Sequence, residues 1–302
     1  MGAIVEAVGS PEFLAGLRWG GITAAVGLAV GLGWRRRLKK PAPVAGLAAV
    51  VAAALAMSIT GPLPSMVWAG LGLLALAGAI FPWTRRIPFL PLLVAFPGAW
   101  LIGRSGLPGP DWVVSVVSVV VAVVGPVAAW FDEDADGSPT PAWLFAIAAA
   151  GVWVTVPDTE EALVLLGAIA AATLLSWPLG VARLGSVGVH ALVGLYMWVV
   201  AWGGRGREGA VVGAVAALGM LFAAPVAAWM ARNRNVATTG WAAVWLVVLQ
   251  ILVVAVSTRV GGLRPDPFDA AAIAVPALLA ALLLWLLTER SISHAPRSDQ
   301  TE

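Results

Sequence analysis

The chain has 302 residues, of which 60% are hydrophobic, 11% are charged and none is cysteine. Ordinary soluble domains carry roughly 25% charged residues, so this composition excludes one and leaves lipid as the solvent for the apolar excess. The absence of cysteine removes disulfides, thiolate metal sites, iron–sulfur clusters and cysteine nucleophiles. The net charge of +2 comes from basic residues in short clusters between apolar runs, a pattern that carries topology and no nucleic-acid footprint.

The N-terminal stretch has Glu6 and Glu12 but no Lys or Arg before Arg18, so it lacks the basic region of a secretory signal. Apolar runs long enough to cross a bilayer follow at 14–33, 43–60, 64–81, 87–103, 111–131, 142–157, 161–180, 186–202, 209–230, 241–258 and 268–288. The expectation is therefore an all-α bundle of about 11 spans, one integral membrane domain over 1–290 with a short polar tail over 291–302. Eleven of the 16 tryptophans fall near span ends, as an interfacial aromatic belt requires. Pro88, Pro91 and Pro97 in the fourth span, and Pro126, Pro225 and Pro276 later, are expected to kink or break their helices.

Lys and Arg divide unequally between alternate loops. One set holds Arg35, Arg36, Arg37, Lys39, Lys40, Arg85, Arg86, Arg183, Arg232, Arg234, Arg290 and Arg297, twelve residues against six in the other set. Basic residues near span ends stay in the cytoplasm, which places the N-terminus outside and the C-terminus inside, and the Ala-, Val- and Gly-rich, Lys-poor composition resembles that of a bacterial protein, so the expected location is a bacterial plasma membrane. Gly125-Pro126-Val127-Ala128-Ala129-Trp130 recurs as Ala224-Pro225-Val226-Ala227-Ala228-Trp229, and Pro157-Asp158 aligns with Pro265-Asp266. These matches suggest that spans five to seven repeat, in parallel, as nine to eleven; the alternative is the recurrent grammar of membrane helices.

Two acidic clusters stand out. Asp132-Glu133-Asp134-Ala135-Asp136-Gly137 follows span five and has the order of the first half of a calcium loop, making Asp132, Asp134 and Asp136 candidate metal ligands. The position that should supply the closing Glu is Trp143, and no second acidic cluster faces the same side to complete a magnesium–diphosphate site, so a solvated acidic loop is the plainer reading. Asp158, Glu160 and Glu161 open span seven; they suit either helix capping or a substrate contact beside the bilayer. Within the spans, His190 and Gln250 are the notable polar residues, each suited to a helix-to-helix hydrogen bond or to a substrate contact.

No nucleotide-binding, dinucleotide, zinc-protease or nucleophile-elbow motif is present, and no cofactor is implied. The leading functional expectation is a permease-like protein that handles a small or lipidic substrate without a buried ion-coupling site. A membrane-embedded transferase acting on a lipid-linked substrate is the second. A non-catalytic subunit of an envelope complex, with a membrane protein as partner, is the third. The candidate substrate-binding residues are Asp158, Glu160, Glu161, His190 and Gln250; no catalytic residue is assigned, and the enzyme reading is the weaker because the first outer loop, Gly61 to Pro64, has no acid.

Overall fold

The computed structural model describes residues 9–61, 63–87, 89–105, 111–135, 138–156, 159–204, 207–230, 240–263 and 266–293. These residues form twelve helices and no strand: α1 (Pro11–Leu38), α2 (Ala45–Thr60), α3 (Ser65–Thr84), α4 (Leu90–Gly103), α5 (Asp111–Asp134), α6 (Thr140–Thr155), α7 (Glu160–Ser176), α8 (Ser186–Gly203), α9 (Glu208–Ala217), α10 (Gly219–Met230), α11 (Gly240–Leu263) and α12 (Pro267–Ser293). Six of them, α1, α3, α5, α8, α11 and α12, are long and apolar enough to cross a membrane, and α9 with α10 makes a seventh candidate if that bent pair is one span. The remaining helices, α2, α4, α6 and α7, are shorter.

The helix ends follow from local chemistry. Ser10 caps α1, its Oγ accepting from the Phe13 N–H at 3.1 Å, with Pro11 in the first turn where its missing donor is harmless. The same helix stops where Lys39 turns left-handed (φ 55°) and its N–H donates to the Arg35 carbonyl. Pro126 and Pro276 sit inside continuous helices. The break expected at Pro225 instead falls at Leu218, between α9 and α10, which meet at 47°. Pro91 belongs to the first turn of α4, and Pro88 lies outside the described residues.

Packing is tightest where small residues let backbones touch, the usual basis of helix association in lipid. Gly16 of α1 lies against the Val164 carbonyl of α7, and Gly167 of α7 lies against the Phe13 carbonyl of α1; a Cβ at either glycine would sit within 2.5 Å of that oxygen. Helix α8 is the centre of the bundle. Every residue from Gly188 to Ala201 is buried, against α2, α3 and α5 above all.

Contacts fix the relative directions of neighbouring helices. Gly16, Gly20 and Gly27 of α1 meet Val164, Ala171 and Leu175 of α7 in ascending order, so that pair is parallel, as is α6 with α11, where Gly151 meets Val254 and Thr155 meets Gly261. Gly78 of α3 meets Ser186 of α8 while Leu74 meets Gly194, so those helices are antiparallel. Gly213 and Gly209 of α9 meet Ser257 and Gly261 of α11, again antiparallel. Each relation is the one expected if the chain reverses at every connection and α9 with α10 counts as one pass.

The two triples expected to be repeats pack differently. Helices α9, α11 and α12 all pack extensively on one another, whereas α6 packs on α7 but barely on α5.

Candidate functional site

The first polar centre lies at the bundle end that gathers the connections after α1, α3, α5 and α7. Strand-like pairing holds part of it: the Ala42 N–H donates to the Val181 carbonyl at 3.0 Å, and the Arg183 N–H donates to the Ala42 carbonyl at 2.8 Å. This fixes residues 181–185 ahead of α8. Gly185 is required there, because its φ is +76° and a Cβ would lie 2.3 Å from the Pro43 carbonyl oxygen.

Asp132, in the last turn of α5, is buried at 2% exposure, which corrects the expectation of a solvated acidic loop at that residue. Its Oδ2 accepts from the Gly185 N–H at 2.9 Å and lies 3.6 Å from Nη1 of Arg183. The same Nη1 donates to the Asp132 main-chain oxygen at 3.2 Å. A carboxylate from one helix thus sits at the free N–H groups and positive end of α8, while an arginine from the preceding loop covers the carbonyl end of α5. Burial is tolerable because the charge has both an ion-pair partner and a backbone donor. Glu133, the next residue, pairs with Arg85 at the end of α3, and Asp134 is exposed.

His190 sits in the first turns of α8, near this junction. Its Nδ1 bonds the Ser186 carbonyl of its own helix at 2.7 Å, and Phe81 packs edge-on to the ring at 5.4 Å. Its Nε2 is buried with no hydrogen-bond partner among the described residues. Ser186 Oγ donates to the Gly78 carbonyl at 2.9 Å, tying α8 to α3.

The second polar centre is the α9/α10 break. Where the helix turns aside, Leu218 and Leu221 donate to Val215 and Leu218, leaving the Ala214 and Ala217 carbonyls and the Met220 N–H without the partners a continuous helix would supply. Side chains from two other helices take over. Gln250, near the middle of α11 and fully buried, accepts from the Met220 N–H at 3.2 Å through Oε1 and donates to the Ala217 carbonyl through Nε2. Tyr196 of α8, also fully buried, donates its hydroxyl to the Ala214 carbonyl at 2.8 Å, with the Ala148 carbonyl of α6 at 3.3 Å. Irregular backbone at bilayer depth persists only when its groups are satisfied in this way.

Apolar clefts flank the break. One of about 300 Å³ lies between α5, α9, α10 and α12, with Leu218 and Gly219 of the break, Val123, Phe222 and Leu278 among its walls. Another of about 500 Å³ lies between α6 and α11, over Gly151, Val154, Val254 and Ala255. Ala217 stands next to Gly151 of the latter, and Leu218 and Gly219 line the former, so the break borders both clefts.

The candidate substrate residues are distributed over three levels. Glu160, exposed, and Glu161, half-buried, begin α7 at the bundle end where Thr159 touches Gly203. His190 is thirteen residues from Gly203 along α8, about 20 Å away. Gln250 lies between these levels, and Asp158 falls outside the described residues. Of the proposed metal ligands, Asp132 is committed to Arg183 and Gly185, Asp134 is exposed, and Asp136 lies outside the described residues. Among the described residues no three His, Asp or Glu side chains group as a metal site would need. Sequence reasoning did not single out Arg183 or Gly185 as partners of Asp132; the only signal was a lone arginine in a short connection, 51 residues away in sequence. No protein family matches the chain, and no curated protein or solved structure matches it either.

Proposed function

We propose that this chain is a bacterial plasma-membrane protein of about eleven spans, permease-like, which admits a lipidic molecule from the side and lets it pass at the α9/α10 break. The observation that carries this reading is the break itself: a discontinuous helix at mid-depth, its freed backbone groups held by Gln250 and Tyr196, with two apolar clefts bordering it. Removing the Gln250 bonds frees the segment that borders both clefts. The apolar walls suit an alkyl chain better than a small polar solute.

The alternation of helix direction supports counting the short helices α2, α4, α6 and α7 as crossings. In that arrangement Arg35 to Lys40, Arg85, Arg86 and Arg183 share one face, which the excess of basic residues assigns to the cytoplasm, with the N-terminus outside and the C-terminus inside. The parallel repeat is not part of the proposal, given the different packing of the two triples. No ion coupling is invoked, since Asp132 is spent on Arg183 and the α8 N-terminus.

The test is lipid exchange between leaflets in proteoliposomes, followed by chemical quenching of a fluorescent headgroup. The wild-type chain is expected to expose inner-leaflet lipid faster than empty vesicles do, and Gln250→Leu to change that rate. No acceleration for phospholipids or polyprenyl phosphates would overturn the reading. Transfer activity abolished by Glu160→Gln with Glu161→Gln would favour the transferase instead, and a stably co-purifying membrane protein would favour the subunit role.

A further inference from the structure

We infer that the cleft between α6 and α11 is a binding site for one anionic glycerophospholipid, with an acyl chain lying in the cleft and the phosphate on Arg259. The cleft runs along α11 from Ile251 to Arg259, eight residues or about 12 Å of helix, and has a volume of about 500 Å³ between mostly apolar walls. Val154, Ile251 and Ala255 on its rim are exposed, so in a bilayer it opens to the acyl phase.

The polar end identifies the headgroup. Arg259 lies four residues before the end of α11, is exposed, and forms no ion pair with any described carboxylate. From that position its long side chain reaches phosphate depth, where apolar stems stay in lipid and charged heads seek the interface. The neighbouring Thr258 hydroxyl is already committed to the Val254 carbonyl at 2.8 Å, which leaves the guanidinium as the donor at the mouth without an ion-pair partner among the described residues. A planar fork of donors matches phosphate oxygens, and a lipid with net negative charge gains more from it than a zwitterionic one whose ammonium competes for the same phosphate. This site stands on the cleft and Arg259 alone and holds whether or not the chain moves lipid.

The experiment is native mass spectrometry of the full-length protein released from detergent, titrated with phosphatidylglycerol and, separately, with phosphatidylcholine of the same chains. The wild-type protein should retain one phosphatidylglycerol more tightly than phosphatidylcholine, by about fivefold, the worth of one arginine beside an anionic lipid. Arg259→Gln should remove that preference and Arg259→Lys should keep most of it. Ala255→Phe, which fills the cleft and leaves the arginine, should lose the retained lipid; Val154→Trp fills it from the α6 side should the first variant fail to fold. Equal retention of both lipids by the wild type would overturn the proposal, as would an Arg259→Gln protein that still prefers phosphatidylglycerol. A preference for a polyprenyl phosphate over phosphatidylglycerol would overturn the diacyl assignment.

Discussion

The junction at Asp132 and the break at Gln250 solve one problem with opposite chemistry. Both are places where helix ends leave backbone donors and acceptors without partners. At the bundle end, a carboxylate and an arginine do the work, Asp132 at the start of α8 and Arg183 over the end of α5. In the middle of the bundle the partners are neutral, the Gln250 amide and the Tyr196 hydroxyl. The difference follows depth: Arg183 keeps contact with solvent at 24% exposure, which lowers the cost of a charge, whereas Gln250 has none. The comparison teaches that the burial of Asp132 and of Gln250 each reports a helix end being satisfied, and that the charge state reports how far that end lies from water.

Exchanging acid and amide at the two places tests this most severely. Gln250→Glu puts a carboxyl at mid-depth with one oxygen facing the Ala217 carbonyl it formerly served, and should destabilise by about 3 kcal/mol, the cost of an acidic residue at a span centre. The reciprocal Asp132→Asn keeps an acceptor for the Gly185 N–H and loses only the ion pair, so its cost should be about half of that. Thermal unfolding of both variants in the same detergent, followed by tryptophan fluorescence, gives the ranking. Asp132→Asn proving the more damaging would break the depth argument. Asp132→Ala, which leaves both the donor and Arg183 unpaired, should approach about 3 kcal/mol, and combining it with Arg183→Leu should cost less than the sum of the two.

Tyr196→Phe removes one bond at the break while Gln250 still holds it, so the expected loss is smaller, at most about 1 kcal/mol, within the range for interhelical hydrogen bonds in lipid. Its informative readout is leaflet exchange: if Tyr196 helps to hold the segment that borders both clefts, exchange should quicken in Tyr196→Phe with little change in unfolding temperature. Unchanged exchange alongside a normal unfolding curve would confine Tyr196 to packing.

Much of the helical layout was legible in the sequence because membrane spans announce themselves by length and apolarity alone. The expected span at 186–202 is α8 to within a residue, and that at 111–131 is the apolar part of α5. The break was not legible. Leu218 and Gly219 lie in a run of Ala and Val like many others, while Pro225, the residue that reads as a breaker, sits inside α10. A proline removes one donor and a neighbouring helix can absorb that loss; a break persists where side chains elsewhere in the chain supply several partners at once, and Gln250 and Tyr196 are 33 and 18 residues away in sequence from the carbonyls they serve. Asp132 was misread for the same reason. Its neighbours Glu133, Asp134 and Asp136 make it look like part of a hydrated loop, and only the return of residues 181–185 against α5 and α2 shows that it is enclosed.

The acidic start of α7 should give the smallest effect of all. Glu160 and Glu161 share with Asp132 the position of a negative charge at a helix N-terminus, but they stand on their own helix, with Glu160 in the open. A charge in that setting interacts with the dipole through water and salt, and replacing both with Gln should change stability by less than about 1 kcal/mol, shrinking further as ionic strength rises. Asp132 meets the α8 dipole from inside the bundle with a direct 2.9 Å bond, where screening does not reach, so raising salt should leave the Asp132→Ala penalty nearly intact. Measuring both penalties at low and high salt therefore separates a carboxylate that merely decorates a helix start from one that joins two helices. A double Glu160→Gln, Glu161→Gln penalty as large and as salt-resistant as that of Asp132→Ala would mean that the α7 start is enclosed in the membrane-embedded protein.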